Sequence, residues 1–259
     1  MIFPEKFNLK NKVAIVTGGA GLIGSSVSIA LAQAGAHVYV AENIEENAVN
    51  IIKQAQKKKL TLDYLELDIT DEKSISKAID KVVQEKKRID ILVNGAYPRT
   101  ADWGTKFENV KTDSLKKNVD IQMNSYIITC QKVLEIMKKQ GGGAVVNFGS
   151  TYGVVGPHFS IYEGTPMTMP AAYSAIKGGI ITFSKYCATY YGKYNIRINC
   201  ICPGGVFDNQ NPAFVKKYEK LSPLGRMAKP EDIAGPILFL CSDASSYITG
   251  HTMMVDGGW

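Results

Sequence analysis

Residues 13–24 read VAIVTGGAGLIG, and this stretch decides the fold that we expect. Its first part, Val13–Thr17, is mostly β-branched and apolar, which is typical of a buried strand in a parallel sheet. The stretch Leu22–Ala34 has small and apolar residues at helical spacing, and Gly35 closes that helix. The glycines between them permit a tight turn and let backbone N–H groups approach a pyrophosphate. A glycine pattern placed between a strand and a helix predicts a dinucleotide-binding turn.

Apolar runs and helical stretches alternate along the rest of the chain. The further predicted strands are His37–Ala41, Leu62–Leu67, Asp90–Val93, Ala144–Phe148, Ile196–Ile201 and Thr252–Val255. The further predicted helices are Glu45–Lys58, Asp71–Arg88, Leu115–Lys139, Ala171–Tyr191 and Glu231–Leu240, with a short one around Pro212–Tyr218. Such alternation predicts βαβ units with right-handed crossovers. The expected fold is a single-domain α/β protein over residues 1–259, with residues 1–10 as an N-terminal extension: a Rossmann-like, doubly wound parallel sheet of about seven strands with helices on both faces.

Two irregular stretches, residues 153–170 and 204–224, are predicted to be substrate loops. A third irregular stretch covers residues 95–109. All three follow the carboxyl ends of predicted strands, where doubly wound folds bind their ligands. Long loops between well-formed elements are often functional lids.

The composition is that of an ordinary globular protein. With 45% hydrophobic and 21% charged residues, it excludes a disordered chain, a collagen and a disulfide-rich mini-protein. No apolar run is long enough to predict a transmembrane helix. The N-terminus lacks the apolar segment of a signal peptide, so we expect a cytoplasmic protein that does not bind membranes.

Charge and cysteine content indicate neither a nucleic-acid partner nor a metal. The net charge of +6 comes largely from basic residues that close predicted helices, Lys57–Lys59 and Lys86–Arg88, where cations complement the helix dipole. We interpret these residues as solvated surface. The five cysteines lack the spacing of a zinc site. Cys200 and Cys202, two apart in an apolar run, are interpreted as lying on alternate faces of a buried strand.

The choice of cofactor is predicted from the end of the second strand. Glu42 stands about where dinucleotide-binding turns place an acidic residue. A carboxylate there accepts hydrogen bonds from the adenosine ribose hydroxyls and would repel a 2′-phosphate. No Arg or Lys occurs in the glycine turn or directly after Glu42. The sequence therefore favours NAD over NADP.

Tyr173 and Lys177 are four residues apart on a predicted helix, so they share one face. A tyrosine ordinarily titrates at about 10, whereas a general acid or base works best nearer the operating pH. We expect the Lys177 ammonium and the positive nicotinamide to lower the pKa of Tyr173. A lowering of about 3 units needs about 4 kcal/mol of preferential phenolate stabilisation. Ser150 is the candidate donor to a substrate oxygen, and the three residues predict hydride transfer between substrate and nicotinamide while Tyr173 moves the proton.

In their order, these motifs resemble the short-chain dehydrogenase/reductase family over nearly the whole chain, from Lys12 to Gly258. The resemblance is carried by YSAIK at 173–177, VNFGS at 146–150, NCICPG at 199–204, LDIT at 67–70, PLGR at 223–226, PEDIA at 230–234 and VDGG at 255–258. It implies a small-molecule substrate, a homotetramer or homodimer, and a second role for Lys177 in holding the nicotinamide ribose. It also implies that Gln122 replaces the family's helix asparagine, which supports the catalytic lysine. The cofactor-binding residues implied are Gly18, Ala20, Gly21, Ile23, Gly24, Glu42, Asp68, Ile69, Asn94, Ala96, Tyr173, Lys177, Pro203, Gly204 and Val206.

Two departures from the family pattern bear on the substrate. The spacing of Gly18, Gly21 and Gly24 looks more like that of the extended members, which include sugar-nucleotide epimerases and dehydratases. Ser150 and Tyr173 are 23 residues apart, more than the family usually has. A longer loop over the site implies a larger or more polar substrate than a simple ketone.

Part of this longer loop, together with residues 94–99, resembles members found with bacterial surface-glycan and flagellin-sugar pathways. We therefore expect a polyhydroxylated or sugar-type substrate, with Tyr97, His158, Tyr162 and Glu163 as candidate contacts. The leading hypothesis is an NAD-dependent oxidoreductase that interconverts a secondary alcohol and a ketone. Two alternatives stay open: a sugar-nucleotide epimerase or dehydratase that retains its NAD, and a non-catalytic protein that senses dinucleotides.

Overall fold

The computed structural model describes residues 3–259 of the chain. Seven strands within this range form one parallel sheet. Its strands are β1 (Val13–Thr17), β2 (His37–Glu42), β3 (Leu62–Glu66), β4 (Ile91–Asn94), β5 (Gly143–Phe148), β6 (Ile196–Pro203) and β7 (Thr252–Val255). They lie in the order β3-β2-β1-β4-β5-β6-β7, and every neighbouring pair is parallel. The predicted Rossmann-like sheet is confirmed, with strand bounds close to those expected.

Helices cover both faces of the sheet, as expected for strands that are apolar on both sides. Those within residues 3–259 are α1 (Leu22–Gln33), α2 (Glu45–Lys57), α3 (Glu72–Lys86), α4 (Thr112–Val119), α5 (Ser125–Gln140), α6 (Ala171–Tyr191), α7 (Pro212–Leu221) and α8 (Pro230–Cys241). Helix α1 packs against α8, whereas α5 packs against both α3 and α6. Of the predicted N-terminal extension, residues 1–2 lie outside the described part, and Leu9 is buried in the main core.

The order of the strands places the ends of β1 and β4 together at the centre of the sheet. Strand β1 pairs with β2 on one side and with β4 on the other, so the chain reverses its direction of winding there. Ligands of doubly wound folds bind in the crevice outside the carboxyl ends of the strands at this point. The turns after β1 and β4 therefore line one crevice.

The helix predicted at Leu115–Lys139 differs from the structure in its bounds and its regularity. It begins earlier, at Thr112, and a π-helical turn, Asp120–Asn124, separates α4 from α5. Next to this turn the Ser125 hydroxyl donates to the carbonyl oxygen of Ile121 at 2.8 Å. Such back-bonding disturbs regular helix geometry, and π turns are frequent at functional sites.

The two predicted substrate loops pack on each other. The first contains a 3₁₀ turn, Phe159–Tyr162, and the second contains α7, which is three residues longer than the predicted Pro212–Tyr218. The Lys217 ammonium of α7 donates to the carbonyl oxygens of Ser160 and Glu163 at 3.1 and 2.7 Å. A small apolar core joins the loops, and we call it the cap cluster: Ile161, Tyr162, Phe214, Tyr218 and Met227, with Trp259 packed against it.

The interpretation of the β6 cysteines is wrong. A Cβ atom built on Gly149 would lie 2.8 Å from the sulfur of Cys200 and 2.7 Å from that of Cys202. Both sulfur atoms therefore lie on the same side of β6, because residues two apart in a strand point the same way. No cluster of three or more potential metal ligands occurs in residues 3–259. None of the helices in this range has the length and apolar character needed to cross a bilayer.

Candidate active site

A cavity of about 750 Å³ opens at the carboxyl ends of the strands. Most of the predicted cofactor residues line it: Gly18, Gly21, Ile23, Gly24, Glu42, Asp68, Ile69, Ala96, Tyr173, Lys177, Pro203, Gly204 and Val206. Its volume lies in the range of small-molecule and cofactor sites. The glycine turn and the Tyr173–Lys177 pair therefore share one cavity, although they are about 150 residues apart in the sequence.

The glycine turn leaves room for a phosphate group. Gly18 has a left-handed φ of +66°, and a Cβ atom on it would lie 2.9 Å from the Cα atom of Ala96. A Cβ atom on Gly24 would lie only 1.9 Å from the carbonyl oxygen of Gly18. Helix α1 has no side-chain cap, because Gly21 precedes it. The N–H groups of its first turn can therefore bind an anion, and this cradle fits the pyrophosphate of a dinucleotide.

Glu42 lines the cavity and also holds the glycine turn. Its Oε1 atom accepts a hydrogen bond of 2.9 Å from the backbone N–H of Ala20. Burial raises the pKa of Glu42, and the Ala20 N–H acts in the opposite direction. Ala20, predicted to contact the cofactor, does not line the cavity, and its N–H is bound to Glu42. The carboxylate can still accept further hydrogen bonds from a ribose.

Asn94, another predicted cofactor residue, does not line the cavity either. Its side-chain amide is buried and donates to Oδ1 of Asn147 at 2.9 Å, and it also contacts the sulfur of Cys130 at 3.2 Å. Asn94 and Asn147 are direct neighbours across β4 and β5. This side chain therefore joins two strands beneath the site, and a role in binding the cofactor is not supported for it.

The carboxyl end of β5 and the N-terminal part of α6 bring three residues together: Ser150, Tyr173 and Lys177. Ser150 is 5% exposed, and its hydroxyl oxygen accepts a hydrogen bond of 3.2 Å from the N–H of Tyr152. It also lies close enough to the Tyr173 phenol to lower its pKa. The Lys177 ammonium is buried and donates to the carbonyl oxygen of Phe148 at 2.8 Å. Tyr173 and Lys177 line the cavity, whereas Ser150 lies beside the Tyr173 phenol and only its neighbours Gly149 and Thr151 are lining residues.

The pKa of Tyr173 is raised in the protein alone, so its expected lowering by Lys177 together with a positive nicotinamide stays a prediction for the complex. Burial raises the pKa of Tyr173, and the Ser150 hydroxyl offsets only part of this rise. Burial lowers the pKa of Lys177 to about 8. The ammonium is directed at the Phe148 carbonyl and lies 5.7 Å from the centre of the Tyr173 ring. Desolvation therefore decides the direction of the Tyr173 shift in the protein alone.

Gln122 lies in the π turn between α4 and α5 and does not line the cavity. Its side chain is 2% exposed, and its Nε2 atom donates to Oδ1 of Asn118 at 3.4 Å. Its Oε1 atom is buried without a hydrogen-bond partner among residues 3–259. Buried acceptors are nearly always satisfied, so this unpaired oxygen is unusual among the described residues.

An aromatic wall stands beside Tyr173. The ring of Tyr97 lies edge-on to that of Tyr173 at 5.8 Å, and the ring of Trp103 lies at 6.4 Å. The indole N–H of Trp103 donates to the Tyr97 hydroxyl at 2.8 Å. The Arg99 guanidinium lies 5.1 Å from the centre of the Tyr97 ring. Tyr97 was expected here; Trp103 was missed, since only its position in an irregular loop could have indicated it.

The loop that carries this wall is anchored to α4. The N–H of Thr100 donates to Oδ1 of Asn118 at 3.2 Å, and the Asn118 amide donates back to the Thr100 hydroxyl at 2.7 Å. The Ser114 hydroxyl donates to the Asp102 carboxylate at 2.7 Å. Three bonds to buried or half-buried partners hold the wall in place against Tyr173.

Three of the four predicted substrate contacts do not line the cavity. His158 packs against the Trp259 ring at 5.6 Å, Tyr162 is buried in the cap cluster, and Glu163 is exposed with its carbonyl oxygen bound to Lys217. The longer loop folds down onto α7, and this turns these side chains away from the opening. The cavity is lined here instead by residues that sequence analysis missed: Tyr152, Met167, Met169, Phe214 and Tyr218.

Comparison with known proteins gives consistent matches over the whole chain. A family model described as Enoyl-(Acyl carrier protein) reductase matches residues 19–259. The post-translational flagellin modification protein A of Campylobacter coli is 34% identical over 254 residues, which cover 97% of this chain and 99% of that protein. A 3-oxoacyl-(acyl-carrier-protein) reductase of Thermotoga maritima is 33% identical and covers 96% of this chain and 98% of its own length. A short chain dehydrogenase from Leptospira borgpetersenii, solved with bound NAD+, is 32% identical with a TM-score of 0.84, over 100% of this chain and 95% of that one.

Proposed function

This chain belongs to the short-chain dehydrogenase/reductase family, whose oxidoreductases use NAD or NADP, and we propose that it interconverts a secondary alcohol and a ketone on a polyhydroxylated, sugar-type substrate with NAD. The observation that carries the proposal is that Tyr173 and Lys177 line the same cavity as the glycine turn, and that the Ser150 hydroxyl lies beside the Tyr173 phenol.

Each of the three residues has a separate task in this proposal. A bound nicotinamide supplies or accepts the hydride. Tyr173 holds and moves the proton at the substrate oxygen, and Ser150 donates a hydrogen bond to that oxygen as its charge changes. Lys177 binds ribose hydroxyls and favours the phenolate form of Tyr173 electrostatically. Gln122 would accept a hydrogen bond through its free Oε1 atom and so support the lysine as a positioning residue.

The walls around Tyr173 support a polar, ring-shaped substrate. The Tyr97 ring lines the cavity with Trp103 packed beside it, and the rings of Tyr152 and Tyr218 also line the cavity. Sugars combine apolar C–H faces with many hydroxyls, and amphipathic aromatic side chains suit both. The similarity to a flagellin modification protein supports a role in making a surface glycan. The carrier-protein reductase among the relatives supports only the general reaction.

The cofactor is tested by titrating the protein with NADH and NADPH while nicotinamide fluorescence is followed. We expect NADH to bind at least about tenfold more tightly, because two like charges about 4 Å apart repel by about 4 kcal/mol at an effective dielectric constant of 20. The variant Glu42→Gln keeps an acceptor for the Ala20 N–H but removes the charge. It should reduce the preference for NADH over NADPH about tenfold, mainly because NADPH binds more tightly to the variant. A wild-type protein that prefers NADPH would overturn the choice of NAD.

The reaction is tested with a panel of polyols, sugars and simple secondary alcohols, and the readout is the absorbance of the NADH that forms. Oxidation of polyols above simple alcohols supports the proposal. Turnover of simple alcohols alone would contradict the proposed substrate class, but it would still support the proposed interconversion of an alcohol and a ketone. No oxidation of any alcohol, with NAD that dialysis does not remove, would favour the epimerase or dehydratase alternative.

Arg99 points to an anionic group on the substrate. Its guanidinium lines the cavity, and among the described residues it forms a contact with the Tyr97 ring but no ion pair. Hydrogen bonds between a guanidinium and a carboxylate or phosphate are about twice as strong as neutral ones. We expect Arg99→Gln to raise the KM of a sugar acid or sugar phosphate about tenfold relative to that of a neutral polyol. An equal change in both KM values would contradict this role.

A further inference from the structure

The last residue of the chain, Trp259, packs between the two loops that flank the cavity. Its ring stacks on that of Tyr218 in α7 at 4.3 Å, and it lies edge-on to the ring of His158 in the longer loop at 5.6 Å. It also lies edge-on to the ring of Tyr152, in the turn after β5, at 6.2 Å. One side chain therefore contacts both loops and the body of the domain.

The backbone before Trp259 fixes where its ring lies. The N–H of Leu224 donates to the carbonyl oxygen of Gly257 at 3.1 Å. Gly257 and Gly258 have left-handed φ values of +70° and +91°, and a Cβ atom on Gly258 would lie 2.9 Å from the Cγ atom of Pro223. Residues other than glycine would be strained on this path, so the two glycines direct the ring to one place.

Few hydrogen bonds tie the longer loop to the sheet. Among the residues that the structure describes, the hydrogen bonds of residues 156–169 run within that loop or to Lys217 of α7. The phenols of Tyr162 and Tyr152 also lie close to each other. We call residues 156–169 together with α7 the cap, because the two parts are bonded mainly to each other.

Helix α7 depends on its packing surface. It has ten residues, and isolated helices of this length are marginal in water. The Tyr218 hydroxyl accepts a hydrogen bond of 2.5 Å from the N–H of Gly205, in the turn after β6. The cap cluster forms a small core that is separate from the main core, and Trp259 packs against it. The stability of the cap therefore depends on contacts of the kind that Trp259 makes.

The indole N–H of Trp259 is buried and has no hydrogen-bond partner among residues 3–259. Ring packing alone therefore holds this side chain in place, and the unpaired donor opposes that packing. When the ring leaves its position, water can satisfy the N–H. The contact can thus open without the loss of a side-chain hydrogen bond, as a reversible closure requires.

Trp259 acts on the cavity only through its neighbours. It does not line the cavity, whereas two of the rings that it contacts, those of Tyr152 and Tyr218, do. The residues that hold the proton and the substrate oxygen, Ser150 and Tyr173, lie outside the cap at β5 and α6. Loss of the Trp259 ring should therefore loosen one wall of the cavity and leave the reacting groups in place.

We propose that Trp259 is the latch of the cap: its ring holds α7 and the longer loop closed over the cavity, and it thereby sets the affinity for the substrate without contacting the substrate. Trp259 is thus a positioning residue. The inference goes beyond the proposed function, because closure by ring packing does not depend on which alcohol or ketone is bound. Only its kinetic test rests on that function.

Hydrogen exchange followed by mass spectrometry tests the latch without turnover, on the whole chain. Trp259→Ala removes the three ring contacts, and we expect amide exchange within α7 to become at least about tenfold faster. Exchange in β1, β4 and β5 should change by no more than about twofold. Trp259→Phe keeps an aromatic ring and should restore most of the protection. Tyr247→Ala, which removes an exposed ring outside the cavity, is the matched control.

Steady-state kinetics test the effect on the substrate. For each alcohol that the wild-type protein oxidises, Trp259→Ala should raise KM at least about tenfold, because the closed cap is then populated about tenfold less. The value of kcat and the Kd of NADH should change by no more than about threefold. Trp259→Phe should restore most of the affinity. If Trp259→Ala fails to fold, Trp259→Leu replaces it, since leucine keeps apolar volume but has no ring.

The outcomes separate the latch from the proposed function. Unchanged exchange within α7 overturns the latch. Exchange that is equally faster in the sheet would assign Trp259 to general stability, which overturns it too. Faster exchange confined to α7, with an unchanged KM, overturns the effect on substrate affinity. A wild-type protein that oxidises no alcohol contradicts the proposed function, while the exchange rates still decide whether Trp259 holds the cap.

Discussion

Replacing Tyr173 with phenylalanine is expected to lower kcat by about 10²–10⁴-fold, the usual contribution of a positioned general acid or base. The phenol oxygen is the group that carries the proton, so its removal stops that step. The rest of the ring stays, and with it the edge-on contact with Tyr97 at 5.8 Å. NADH affinity should therefore change by no more than about twofold, which separates a lost chemical step from lost binding.

Steady-state kinetics and a fluorescence titration with NADH measure the two quantities on the same sample. Tyr247→Phe serves as the matched control, because Tyr247 is exposed and does not line the cavity. Activity retained in Tyr173→Phe would exclude this residue as the acid or base. Loss of NADH binding would instead assign the phenol to the cofactor site.

The pH profile adds an independent check on the same residue. Burial raises the pKa of Tyr173 in the protein alone, so the neutral phenol dominates at pH 7. Alcohol oxidation needs the phenolate to accept a proton, whereas ketone reduction needs the phenol to donate one. The oxidation rate should therefore rise with pH as the phenol ionises. The residual rate of Tyr173→Phe should lose this dependence.

Most of what the sequence predicted correctly depends on the spacing of residues within short stretches. The run from Val13 to Gly24 specifies a strand, a turn and a helix, and all three occur where they were expected. The four-residue spacing of Tyr173 and Lys177 places both on one face of α6 whatever the rest of the chain does. Parallel order then brings the turns after β1 and β4 together, so the glycine turn and Ala96 meet.

What the sequence could not predict depends on partners far away in the chain. His158 and Glu163 stand in a loop whose path is set by Lys217 on α7 and by Trp259 at the C-terminal end. No local pattern contains those contacts, so side chains expected to face a substrate pack against the cap cluster instead. The rise in the pKa of Tyr173 in the protein alone could not be predicted for a related reason, because desolvation depends on all the groups that surround the phenol.

The variant Gly24→Ala is expected to disrupt the cofactor site by displacing the backbone of the glycine turn. The new Cβ atom would lie 1.9 Å from the carbonyl oxygen of Gly18, a contact that neither group can relieve by rotating a side chain. Either α1 or the glycine turn must move by more than an ångström. We expect NADH affinity to fall about 10²-fold, the cost of a misplacement of about 1 Å, and the free energy of unfolding to fall by about 1–3 kcal/mol.

Two other glycines provide graded controls. In Gly21→Ala the Cβ atom would lie 3.3 Å from the same oxygen, so a shift of a few tenths of an ångström suffices and the losses should be smaller. In Gly235→Ala, within α8, the Cβ atom meets nothing within 4 Å, and the better helix propensity of alanine should add about 0.5–1 kcal/mol of stability. Thermal unfolding and NADH titration of the three variants test this order. If all three bind NADH equally well, close approach of the backbone to the pyrophosphate is not what the turn provides, and the cofactor must be held from the Glu42 end of the cavity instead.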